Sequence, residues 1–130
     1  MESGASVKSK KETEFDFERL DVYQRALNFI EKIFLILEKL PNKAQGSLGD
    51  QLRRAAVSIA NNIAEGSNKN SWKGKTQFYG YALNSARECA PMLTICYRLK
   101  YFDLELFSES REEILIISKM LRRLIEATKE

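Results

Sequence analysis

QLRRAAVSIANNIAEGSNKN, residues 51–70, is helical in pattern, yet two arginines, two adjacent asparagines and a glutamate stand among its small apolar residues. At ~100° per residue, Leu52, Ala55, Ala56, Ile59 and Ile63 fall within one sector of a helix. Val57, Ala60 and Ala64 fill the sector beside it. Gln51, Arg54, Ser58, Asn61, Asn62 and Glu65 gather on the far and flanking side. The apolar side is therefore wider than one neighbour requires. Its small residues permit close helix approach, within the chain or between subunits. Two readings of the polar row stand: a solvated face, or a polar surface toward another subunit or a partner. Gly66 reads as the C-cap that ends the helix.

Outward from this segment the same rhythm recurs. From Asp16 the apolar positions Leu20, Tyr23, Leu27, Ile30, Phe34 and Leu37 alternate spacings of three and four, one stripe facing a partner helix. Pro41 stops that helix, and Gly46 and Gly49 loosen the connection before the second restarts near Ser47 or Leu48. After SNKNSWKGK a third stripe runs through Phe78, Ala82, Ser85, Cys89, Met92, Cys96 and Leu99. The fourth begins around Asp103 with Phe107, Ile114, Ile117, Leu121 and Leu124. ICYRLKYF is the most strand-like run, but it continues a helical stripe. Four amphipathic helices with short connections predict an all-α protein, an antiparallel up-down-up-down four-helix bundle over residues 16–130. Residues 1–15, a mixed-charge run, read as a disordered leader. Pro91 removes a backbone hydrogen bond inside the third helix and crowds the Arg87 carbonyl, which predicts a kink.

Composition sets the outer bounds. A chain of 130 residues is one domain by length. With 44% hydrophobic and 30% charged residues it reads as folded and soluble. No window approaches the ~18 apolar residues of a spanning helix, and MESGASVKSKKETE lacks the apolar core of a secretory signal. A cytoplasmic location is the expectation that follows, with no membrane partner. Cys89 and Cys96 lie two turns apart on one helix face, roughly 10 Å, beyond disulfide reach, and read as small core residues. The absence of histidine removes the commonest general base and metal ligand. Neither a phosphate-binding loop nor the Glu-x-x-His pairs of dinuclear metal bundles occur. Glu109, Glu112 and Glu113 in SESREE fall on the outer side of an amphipathic helix. The expectation is a protein that is no enzyme, with no catalytic residues, no metal and no cofactor.

QLRRAAVSIANNIAEG resembles the signature of the four-helix bundle family encoded in intervening sequences of bacterial large-subunit ribosomal RNA genes, which includes the accessory proteins of diversity-generating retroelements. FDFERLDVYQRALNFIEKIF is similar to that family's opening helix, the Ala82, Ser85 and Glu88 spacing to its third, and YFDLELF to its entry into the fourth. Residues from about 15 to 128 are covered. The resemblance implies a bundle assembling as a ring-like homopentamer and, for the retroelement branch, binding to nucleic acid and to a reverse transcriptase. Ala60 stands where the family often has proline, which predicts a more regular second helix here. The retroelement proteins are strongly basic, whereas this chain carries +3.

That small net charge conceals an uneven distribution. Residues 1–18 and 103–130 are each acidic on balance, while nine basic and three acidic residues lie between Pro41 and Phe102. The loop SNKNSWKGK holds Lys69, Lys73 and Lys75 around Trp72 with no acid. Lysines around an exposed aromatic suit phosphate neutralisation and base stacking. Alternatively, Trp72 caps one end of the core and the lysines are simply solvated. The leading expectation is an oligomeric scaffold contacting nucleic acid, most simply structured RNA, through Arg53, Arg54, Lys69, Lys73, Lys75 and Arg87, with Arg98 and Lys100 as lesser contributors. The rival is a protein–protein adaptor ring that touches no nucleic acid, for example docking a reverse transcriptase. Its contact surface would be the row Gln51, Ser58, Asn61, Asn62 and Glu65.

Overall fold

Residues 15–129 are described by the computed structural model, and within them lie four long helices and no strand. A 3-10 turn, Asp16–Arg19, leads into α1, Asp21–Leu37. Pro41 closes the following corner. A single helical turn, Asn42–Ala44, and a π turn, Gln45–Gly49, then run directly into α2, Asp50–Ser67. The Gln45 amide braces this corner by donating to the carbonyls of Leu37 (2.7 Å) and Leu40 (3.0 Å). α3 spans Trp72–Arg98 and α4 spans Leu104–Thr128. The leader expected over residues 1–15 falls outside the described residues except for Phe15.

The caps follow from local chemistry. Ser71 Oγ accepts from the Gly74 amide at 3.0 Å and starts α3, and Asp103 Oδ1 accepts from the Leu106 amide at 2.9 Å and starts α4. At the end of α3 the Tyr101 amide reaches the Cys96 carbonyl and the Lys100 amide reaches that of Tyr97, a Schellman closure. It places Lys100 at φ 66°, a left-handed conformation usually taken by glycine.

Helices adjacent in sequence pack antiparallel, and α4 closes the square against α1. Arg25 and Glu113 join α1 to α4 through two hydrogen bonds of 3.1 Å, and Tyr97 stacks on Phe107 between α3 and α4. The core combines Phe29, Ile33 and Ile36 of α1 with Leu52, Ile59 and Ile63 of α2. Cys89, Leu93 and Cys96 of α3 and Ile117 and Leu121 of α4 complete it. Burial pushes the Cys89 thiol up to about 12, helped by the nearby Glu88 carboxylate, and raises that of Cys96 too. Both cysteines are free and buried, as core residues.

Two expectations change, the α1 stripe and the Gly66 cap. The buried residues of α1 are Val22, Ala26, Phe29, Ile33, Ile36 and Leu37: of the predicted stripe Leu37 is buried, while Leu20, Tyr23, Leu27 and Ile30 flank at half-burial a core line that runs one position earlier. Phe34 is 43% exposed, with the Arg53 guanidinium 5.9 Å from its ring centroid. Two adjoining apolar stripes share one period, so period alone cannot rank them. Pro91 sits exposed inside α3, which is helical on both sides of it. Gly66, read as a cap, lies inside α2, whose C-cap, Asn68, takes no left-handed conformation. Its real constraint is spatial: a Cβ there would stand 2.7 Å from Tyr79 Cε1 and 2.8 Å from Cδ1.

Candidate nucleic-acid interface

The tight α2–α3 hairpin fixes what surrounds its loop. Because Gly66 lets Tyr79 lie against α2, the helices converge and the four residues Asn68–Ser71 suffice to reverse the chain. Three lysines and Trp72 then crowd one end of the bundle, but their roles differ.

Lys69 leans back along its own turn, its Nζ 3.3 Å from Glu65 Oε2 and 4.7 Å from the Phe78 ring centroid. Its stem passes over Gly74, where a Cβ would stand 3.1 Å from Lys69 Cβ. Lys75 donates from Nζ to the Ser67 carbonyl at 2.9 Å, satisfying one of the carbonyls that a helix leaves open at its C-terminus. Lys73 is exposed; its ammonium makes no hydrogen bond or ion pair among the described residues and stands 5.8 Å from the Trp72 ring centroid. Trp72, the first residue of α3, is 43% exposed. The alternative in which Trp72 caps the core thus does not hold, and about half of the residue faces outward beside an ammonium free of ion pairs among the described residues.

The arginines lie elsewhere. Arg53 is held by Asp50 and Phe34. Arg54 and Arg87 are exposed and free of ion pairs among the described residues. Arg54 stands fifteen residues before Lys69, roughly 20 Å along α2 at the helical rise of ~1.5 Å per residue. The six predicted basic residues therefore do not form one patch. Lys69, Lys73 and Lys75 cluster, and Arg53, Arg54 and Arg87 spread along the helices. Lys100 lies at the opposite end, past the C-terminus of α3.

The polar row on α2 divides as well. Ser58 and Asn62 turn into the α2–α3 seam: Ser58 Oγ lies 2.8 Å from Ser85 Oγ, and the Asn62 amide donates to Ser58 Oγ and to its carbonyl, both at 2.9 Å. Gln51, Asn61 and Glu65 remain exposed. A groove of about 540 Å³ opens along this seam, with Arg54 and Glu88 on its two banks.

Sequence reasoning missed part of the basic end. α4 is acidic on balance, but its charge is uneven: Glu105, Glu109, Glu112 and Glu113 outweigh Arg111 in the first half, and Lys119, Arg122 and Arg123 outweigh Glu126 in the second. Antiparallel topology brings the second half to the end where the α2–α3 loop sits. Arg122 and Arg123 are exposed and without ion pairs among the described residues. Counting charge by half-helix rather than by segment would have found them.

These features define a class: a four-helix bundle whose basic end combines free cations with an exposed indole. The family described as 23S rRNA-intervening sequence protein matches residues 18–123, and the chain belongs to that family. In fold it is similar to a protein of unknown function from the S23 ribosomal protein family of Bacteroides thetaiotaomicron, known from a crystal structure at 1.70 Å. That likeness has a TM-score of 0.75 at 24% identity, covering 81% of this chain and 95% of that one. No curated protein matches the sequence. Among the described residues, no helix is long and apolar enough to cross a membrane.

Proposed function

We propose that this chain is a non-enzymatic, oligomeric helical scaffold that holds structured RNA at the basic end of its bundle. The observation that carries the reading is the exposed Trp72–Lys73 pair, beside Lys69 and Lys75 and at the same end as Arg122 and Arg123. Free cations neutralise phosphate without reading sequence, so the expected binding is salt-sensitive and of low base specificity. Assembly into a ring would repeat the end several times, so that weak contacts add through multivalency. Thiols raised by burial stay protonated and are poor nucleophiles, in keeping with a non-catalytic role.

The test is anisotropy of a labelled hairpin RNA across a salt series. Log affinity should fall linearly with log salt, and Lys73→Ala with Arg122→Ala should flatten the slope by about two contacts. Absence of binding at low salt overturns the reading. The α2–α3 groove between Arg54 and Glu88 supports the second reading, a protein–protein adaptor such as one docking a reverse transcriptase. Under that reading Arg54→Glu abolishes partner binding while the lysine variants leave it intact.

A further inference from the structure

We infer that the basic end takes an unpaired nucleotide, with Trp72 stacking on its base while Lys73 and Lys69 hold the flanking phosphates. The inference rests on the RNA-binding reading and narrows it to single-stranded segments: loops, bulges and ends rather than uninterrupted duplex.

The argument begins with placement. Trp72 is the first residue of α3, anchored through the Ser71 cap, so its backbone is fixed while its ring stays 43% exposed. A large aromatic ring left open to water on a fixed helical turn offers a flat face that any base can cover. Its immediate neighbours carry the right charge. The Lys73 ammonium stands 5.8 Å from the ring centroid and has no competing carboxylate among the described residues, and the Lys69 ammonium is drawn over the Phe78 ring. Lys69 shares its charge with Glu65 at 3.3 Å, so it contributes less than Lys73.

Duplex RNA presents its bases edge-on in the grooves and keeps their faces stacked on each other, so an indole has no face to meet. A single strand offers base faces and phosphates alternately along one backbone, which matches an aromatic flanked by ammonium groups. A purely electrostatic end would need no exposed indole, and the arginines of α4 would suffice. The indole is the element that discriminates.

Trp72 is the protein's one tryptophan, so its emission reports this site alone. The experiment titrates the full chain at low salt with a twelve-nucleotide oligoadenylate and with a perfectly paired RNA duplex of the same length. Tryptophan emission and the anisotropy of end-labelled RNA are followed together. The single strand is expected to quench emission saturably, with affinity on the order of tenfold above the duplex. Trp72→Ala should remove that preference while leaving salt-sensitive duplex binding in place, and Trp72→Phe should keep part of it. Equal affinities with unchanged emission overturn the stacking inference and leave the RNA-binding reading standing. Failure of both RNAs to bind overturns the two together. Circular dichroism of the Trp72→Ala variant shows whether the bundle is intact, and Trp72→Phe keeps the test decisive if it is not.

Discussion

Replacing Gly66 by alanine tests the closest approach in the bundle. Alanine inside a helix is ordinarily favoured over glycine by up to ~1 kcal/mol, and less than that in a last turn. Against this stands the clash: the new Cβ would lie 2.7 and 2.8 Å from two atoms of the Tyr79 ring and 3.1 Å from the Lys75 carbonyl. The ring cannot swing clear, because Tyr79 is 3% exposed and packed, and the carbonyl belongs to the first turns of α3. Overpacking of this kind costs about 1–3 kcal/mol, so the net expectation is a loss of about 1–2 kcal/mol despite the better helix former. Thermal unfolding followed by far-UV circular dichroism measures it, with a fall in Tm of roughly 4 °C per kcal/mol. The decisive comparison is the same substitution in a Tyr79→Leu background, where the flat ring is gone and the penalty should vanish or reverse. A Gly66→Ala variant as stable as the parent, or one equally destabilised in both backgrounds, would refute the reasoning, since a plain backbone effect does not depend on Tyr79.

Three further expectations can be checked with the same unfolding assay. Lys75→Met should cost about 0.5–1 kcal/mol by exposing the Ser67 carbonyl, whereas Lys73→Met should leave stability unchanged and weaken only RNA binding. Lys100→Gly should stabilise the fold by about 1 kcal/mol, because glycine adopts the left-handed position without the penalty that a side chain carries. Cys89 is held protonated in the folded state up to about 12 but ionises near 9 when unfolded. Its contribution is therefore complete below pH 9 and declines above it, by at most about 1.4 kcal/mol per pH unit. A Cys89→Ala variant should show a shallower decline between pH 9 and 10 than the parent.

What the sequence revealed, and what it withheld, follows from how each feature is encoded. Four apolar stripes of helical period, broken at Pro41 and around SNKNSWKGK, suffice for the antiparallel bundle, because each stripe must be covered and the loops are too short for any other neighbour order. The α1 stripe was misplaced by one residue because Ile30 and Phe34 have the same hydropathy signature as Phe29 and Ile33; only volume matching across the bundle chooses between them. Gly66 looks like a cap in one dimension, since nothing in sequence tells it that Tyr79 lies opposite. Lys69, Lys73 and Lys75 were found as a cluster but not as three different things. A lysine that caps a helix, one that pairs with a glutamate and one left free are identical until their neighbours are known. Ser58 and Asn62 were legible as a polar pair, but not the bond from Ser58 to Ser85, twenty-seven residues on and across the seam.

The Asp16–Arg19 turn packs against α2, and α4 finishes beside it, so the two outer ends of the bundle share the pole that carries Trp72 and Lys73. A purification tag or fluorophore joined directly before Phe15 or after Lys129 would therefore hang over the proposed binding surface. The corner between α1 and α2, around Lys43 and Ser47, is exposed at the opposite pole. A probe attached there can report on binding without standing in its way.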